Sequence, residues 1–306
     1  MRYWLLILLF LTAPGLAETV AERLGLPADA KLLIIHADDI GMSHSVNLAS
    51  FNAFEAGIVN SGSMMVPCAW FDEAAFTFKA DPTLDLGLHL TLTSEWAHYK
   101  WSSLSGAGPR FSLHNPQGYQ YPDVPFVVQN ASTADVKAEI EAQVEAAYAH
   151  GIRPTHLDSH MGTLFASPEF FNAYVETGRK HRLPLLIPRE ALLAQSPELA
   201  QSLQPDEMLV DRIFMADPSI ALDQFDEYYT DVIENLEPGV TEIIIHLGFD
   251  DIELQAITVD HPDYGAAWRQ TDWNFFTRPQ TKALLDANNV HLVTWRALGK
   301  ILYKDE

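Results

Sequence analysis

Short β-rich runs alternate with helical patterns along this chain, and four of the runs end on a polar cluster. Residues 32–37 form an apolar run with His36 near its end, as expected of a strand covered on both faces. Ser43 can then cap a helix that carries Val46, Ala49 and Ala53 on one face and closes at Gly57. A strand near 61–66 and a helix near 71–79 follow. Over 84–91, leucines alternate with Asp85, Gly87, His89 and Thr91. That period of two gives one greasy face for helices and one small, polar face. Residues 93–130 break the rhythm with Ser, Gly, Pro and aromatics; a connection this long is usually functional. The pattern resumes with a helix at 133–150, a strand at 154–158 and a helix after Pro168. Further strands are expected near Leu185 and Leu209, at 243–246 and at 291–294. Strand–helix alternation over about seven units predicts an α/β fold, an irregular (β/α) TIM-like barrel forming one domain over residues 18–306.

In such folds active groups sit at the carboxyl ends of strands. Four clusters fall there: His36-Ala37-Asp38-Asp39, then His89, then His156-Leu157-Asp158-Ser159-His160, then His246. Singly each is weak, because a lone strand histidine is more often structural and an Asp can simply cap the next helix. Their recurrence at equivalent positions is the signal. One carboxylate and two imidazoles suit a divalent ion with positions left for water and substrate; zinc, magnesium and manganese all fit that donor set. Of the adjacent Asp pair, one can bind metal while the other takes a proton from water. Successive strand side chains point opposite ways, so the spacing leaves open which Asp does which. An extended backbone places His156, Asp158 and His160 on one face, where only one or two reach a single ion. The rest would orient the ligands.

Acidic residues outnumber basic ones 41 to 19, for a formal charge of −22, which disfavours nucleic acid and anionic membranes as partners. A neutral or cationic substrate fits better, and the sequence is compatible with a homodimer. Cys68, the only cysteine, has mostly apolar neighbours and is expected as a small buried hydrophobe. Trp96 and Trp101 are candidates for stacking on a substrate ring.

The motifs resemble those of the YdjC-like (ChbG-type) carbohydrate deacetylases, relatives of the wider polysaccharide deacetylase group. The resemblance runs from Leu32-Leu33-Ile34-Ile35-His36-Ala37-Asp38-Asp39 through Leu86-Gly87-Leu88-His89-Leu90-Thr91 and Pro154-Thr155-His156-Leu157-Asp158-Ser159-His160 to Val293-Thr294-Trp295-Arg296. It implies removal of an N-acetyl group from an amino sugar with one divalent metal ion, held by Asp39, His89 and His160. It also implies Asp38 as general base and His246 as the acid or oxyanion-stabilising group. The chain departs from many members at His36, where they carry Asn, and at His246-Leu247-Gly248, where they carry His-Pro-Gly. An amidase for another N-acylated compound is the near alternative. A carbohydrate-binding relative without turnover has no use for an unligated second Asp. Phosphoester hydrolysis would need basic residues that the clusters lack, and no Gly-x-Ser-x-Gly elbow supports a serine hydrolase.

The first residues carry Arg2, then an apolar run, then small residues ending at Ala17, the layout of a cleaved secretory signal over 1–17. The run is short for a membrane span, so an exported, periplasmic or secreted protein without stable membrane insertion is expected. An uncleaved anchor is the alternative. N-terminal sequencing of the mature protein should begin just after Ala17, and a retained Met1 would overturn cleavage.

Overall fold

The computed structural model describes residues 18–106 and 111–303; the expected signal at 1–17 lies outside them. Among the described residues seven strands form one sheet: β1 (Lys31–Ile40), β2 (Ser61–Met64), β3 (Leu86–Leu90), β4 (Leu157–Ser159), β5 (Arg212–Phe214), β6 (Gly239–His246) and β7 (Val290–Leu292). All pairings are parallel, in the order β4-β3-β2-β1-β6-β5. β1 is the hub. One edge pairs with β6 from Lys31 to Asp38. The other edge is shared, β7 taking Lys31 to Leu33 and β2 taking His36 to Ile40.

Between β4 and β5 the sheet continues through single parallel bridges, Leu157 to Leu185 and Pro188 to Val210. These carry the ring round to β5 and give the irregular barrel. The strands expected near Leu185 and Leu209 are thus reduced to bridging residues. Pro184 and Pro188 flank the first of them, and neither can donate a ladder hydrogen bond. Helices cover the outside. Ser43 caps His44–Ala56, which stops at Gly57 with φ 77°. Ser132 and Ser167 cap Thr133–Ala149 and Pro168–His181 in the same way. No helix among the described residues is long and apolar enough to cross a membrane.

The period of two divides the strands between two environments. Leu33, Ile35 and Ala37 join Leu86, Leu88 and Leu90 in the large core beneath the helices. Leu32 and Ile34 face the other way, clustering with Val240, Ile244, Trp295 and Leu298. The helices Val20–Arg23 and Trp295–Leu302 supply the far side of this second cluster. Farther along the strands the inward residues turn polar: His36, Ser61, Ser63, Asp85, His156, Asp158 and Glu242 are all buried. His156 stacks on Trp295, with ring centroids 4.9 Å apart and 19° between planes. Gly87 makes room for that ring, since a Cβ there would lie 2.5–2.6 Å from three of its atoms. Gly87→Ala should therefore destabilise the fold by about 1–3 kcal/mol through overpacking. Urea unfolding checks this, and His156→Ala in the same chain should recover part of the loss.

Candidate metal centre

At the carboxyl end of β1 the backbone leaves regular strand geometry. The β1–β2 register shifts between Ala37 and Ile40, and Asp39 adopts φ 65°. Asp is among the few residues that tolerate this left-handed conformation. The consequence is chemical: Asp38 and Asp39, which a regular strand would aim at opposite faces, both line one cavity.

Asp39 Oδ1, His89 Nε2 and His160 Nδ1 form a triangle in that cavity. The separations are 3.4 Å from Asp39 to each imidazole and 3.0 Å between the two nitrogens. Each imidazole is held from behind by a carboxylate. His89 Nδ1–H donates to Asp158 Oδ1 at 2.6 Å, and His160 Nε2–H donates to Glu95 Oε2 at 3.1 Å. With the rings neutral, as a metal ion would bind them, those bonds fix the tautomers and turn both facing nitrogens inward as lone pairs. Asp39 Oδ1 is buried and finds no hydrogen-bond donor among the described residues. Two lone pairs and a carboxylate oxygen facing one another repel unless a cation lies between them. Donor atoms about 3.0–3.4 Å apart match the edges of a coordination shell with bonds near 2.1 Å. The residues therefore fit a divalent ion.

Two further groups, His36 with His156 and Asp158, and Asp38 with His89 and Asp158, also bring three donor atoms close together. There the central Asp158 is engaged with His89 and lies 3.1 Å from His36 Nε2, so it serves as a tie between rings. The three polar residues of the β4 segment thus face inwards at different depths. His160 reaches the triangle, Asp158 braces His89, and His156 lies beside Trp295.

The electrostatics favour positive charge at the triangle. Burial would lower His160, but Glu95 and Asp39 outweigh it and push the ring up to about 10. Burial would raise the Asp39 carboxyl, yet the Arg269 guanidinium, with His160, holds it well below the usual range. Arg269 is itself buried and donates from Nη2 to Asp39 Oδ2 at 2.6 Å.

Asp38 stands beside the triangle. Its Oδ2 lies 3.8 Å from His89 Nε2 and 4.0 Å from His246 Nε2, while Oδ1 is 3.1 Å from His36 Nε2. Burial would lower His36, but Glu242, Asp158 and Asp38 raise it well above the ordinary value, so it lies between these carboxylates as an imidazolium. His246 differs. Burial lowers it to about 4, and its Nδ1 has no partner among the described residues. It rests neutral.

Of the two tryptophans expected to stack on substrate, Trp96 lines the cavity, edge-on to His261 and within 5.6 Å of the Arg269 guanidinium. Trp101 does not. It is buried with its indole N–H on the Thr93 carbonyl, so it packs the loop. Cys68 is buried among apolar side chains, as expected. Two site residues had no sequence expectation. Glu95 follows Leu-Thr-Leu-Thr-Ser just past β3, a position that could have flagged it. Arg269 arrives on the helix Ala266–Thr277, with no local motif to mark it.

The YdjC-like protein family matches residues 32–287. A carbohydrate deacetylase of Thermus thermophilus is 31% identical over 92% of this chain and 98% of its own length. One from Thermoanaerobacter pseudethanolicus is 26% identical over 88% and 99%. A solved structure from Enterococcus faecalis, named for cellobiose-phosphate cleavage, superposes with a TM-score of 0.72 at 25% identity, over 88% of this chain and 99% of the other. By the extent of the family match and the near-complete alignment with the Thermus relative, this chain belongs to the YdjC-like protein family.

Proposed function

We propose that this protein is a divalent-metal-dependent hydrolase that removes the N-acetyl group from an amino sugar. The observation that carries the reading is the triangle of Asp39, His89 and His160, each ring held in a ligand tautomer by its own carboxylate, with the unligated Asp38 beside it. The substrate class is supported by relatives named carbohydrate deacetylase that align over nearly their full lengths.

Asp39, His89 and His160 would hold the ion. When bound, it supplies Lewis acidity that polarises the amide carbonyl and makes water easier to deprotonate. Arg269 keeps Asp39 ionised for that duty, while Asp158 and Glu95 keep His89 and His160 in place. Asp38 is the proton acceptor for the attacking water. Its Oδ1 is engaged by His36, leaving Oδ2 towards the triangle and His246. A neutral His246 can protonate the leaving amine only after receiving a proton itself. Asp38, 4.0 Å away, has just acquired one from water, so the pair can pass it from nucleophile to leaving group. The products are acetate and a free amino sugar.

Asp38→Asn should lower kcat on an N-acetylated sugar by roughly 100-fold or more, the scale of a lost general base. Its bound metal, read by elemental analysis, should equal that of the wild type; full activity in this variant would remove Asp38 from the role. Elemental analysis of the wild type should find one divalent ion per chain, zinc or magnesium being the leading candidates, and chelation should abolish turnover. Glu95→Gln should weaken metal affinity by roughly 10- to 100-fold, as loss of a carboxylate behind a ligand imidazole does. Unchanged affinity in competitive chelator titration would free Glu95 of that part.

A further inference from the structure

The cavity over the triangle holds about 1000 Å³ and has two unlike sides. One part of the lining carries the carboxylates, imidazoles and Arg269 already described, together with Asp123, Asp263 and Tyr264. The other part is built from 186–199, from β5 and the residue after it, and from one residue of β6: Leu186, Leu192, Leu199, Ile213, Met215 and Ile244. No charged residue lines it, and its only polar side chains are Gln195 and Ser196. Ile213 and Met215 stand two apart along the chain, on one face, and remain 37% and 36% exposed. Nothing else in the described chain covers them, although they belong to the inner wall of the barrel.

A sugar ring bears hydroxyls round its whole edge, and placed against this wall they would lose water and meet only Gln195 and Ser196 as side-chain donors or acceptors. An aliphatic chain has no such loss and gains burial. Methionine and leucine side chains also adapt to a flexible chain. The volume lies at the upper end of the roughly 300–1,000 Å³ typical of small-molecule sites, enough for a ring and a chain together.

We propose that the substrate is an amino sugar bearing an aliphatic chain, which lies along the wall of Ile213, Met215 and their neighbours while the amide sits at the triangle. The proposal rests on the deacetylase reading. The chain could be an alkyl group on the anomeric oxygen or an N-acyl group longer than acetyl, and both present the same methylenes to the wall.

Three probes separate these sources on the metal-loaded enzyme, each below its micelle concentration: methyl N-acetyl-β-glucosaminide, its octyl glycoside, and methyl N-octanoyl-β-glucosaminide. Carboxylate release should give one octyl-bearing probe a kcat/KM at least roughly tenfold above that of the methyl acetyl compound, a fraction of what burying several methylenes can yield. Whichever probe gains identifies the position of the chain. In the double variant Ile213→Thr, Met215→Gln that ratio should fall to about threefold or less, because each polar replacement wets the wall. Equal kcat/KM for the three probes, or a ratio that survives the double variant, overturns the proposal. If none is hydrolysed, the deacetylase reading fails instead. Calorimetric binding of the same probes then decides the wall, tighter octyl binding supporting it and equal binding refuting it.

Discussion

Charge taken out of water must be matched, and in this barrel that requirement joins one layer to the next. Each buried ion costs several kcal/mol unless a partner and hydrogen bonds offset it. Glu242 lies 3.4 Å from His36, His36 lies 3.1 Å from both Asp38 and Asp158, and Asp158 receives the His89 N–H. Burial pushes Glu242 up to about 8, against the opposing pull of the His36 ring. Asp158 is held well below the usual carboxylate range despite its burial, chiefly by His89 and His36. The polar column thus alternates acid and base from the barrel floor to the triangle, and the orientation of His89 depends on partners two layers below it.

His36 gives the column its character. A neutral amide at that position could satisfy hydrogen bonds but could not carry charge between Asp38 and Asp158. With an imidazolium there, two carboxylates can stay ionised 3.1 Å from a common partner. The ring nitrogens also reach Ser61 and Ser63 at 3.1 Å, which fixes its orientation from β2. Asp38 is therefore positioned from three strands at once.

Much of this was legible in the sequence, for definite reasons. His89, Asp158 and His246 fall at strand ends that period-two alternation marks out, so their convergence follows from barrel topology. The left-handed turn at Asp39 could not be read, because nothing in Asp38-Asp39 distinguishes a bulge from a regular strand. Glu95 and Arg269 come from a long loop and a distant helix, where no periodicity ties them to the strand ends. Trp101 misled because an aromatic in a functional loop looks the same whether it faces the cavity or packs beneath it. The apolar wall is spread over 186–199 and 213–215, each piece too short and irregular to carry a pattern.

The shared edge of β1 also shapes how the chain reaches this state. β2 follows β1 by about twenty residues, but the partners of its opposite edge and of its first turn lie beyond residue 238 and residue 289. The longest strand of the sheet therefore waits, with one side open, until residues 239–246 are available. Closing loops of that length slows the search for native pairings and prolongs exposure of a sticky edge. Residues 290–295, which pair β7 with the start of β1 and lay Trp295 against His156, tie that open edge to the polar column from a point more than 240 residues away along the chain.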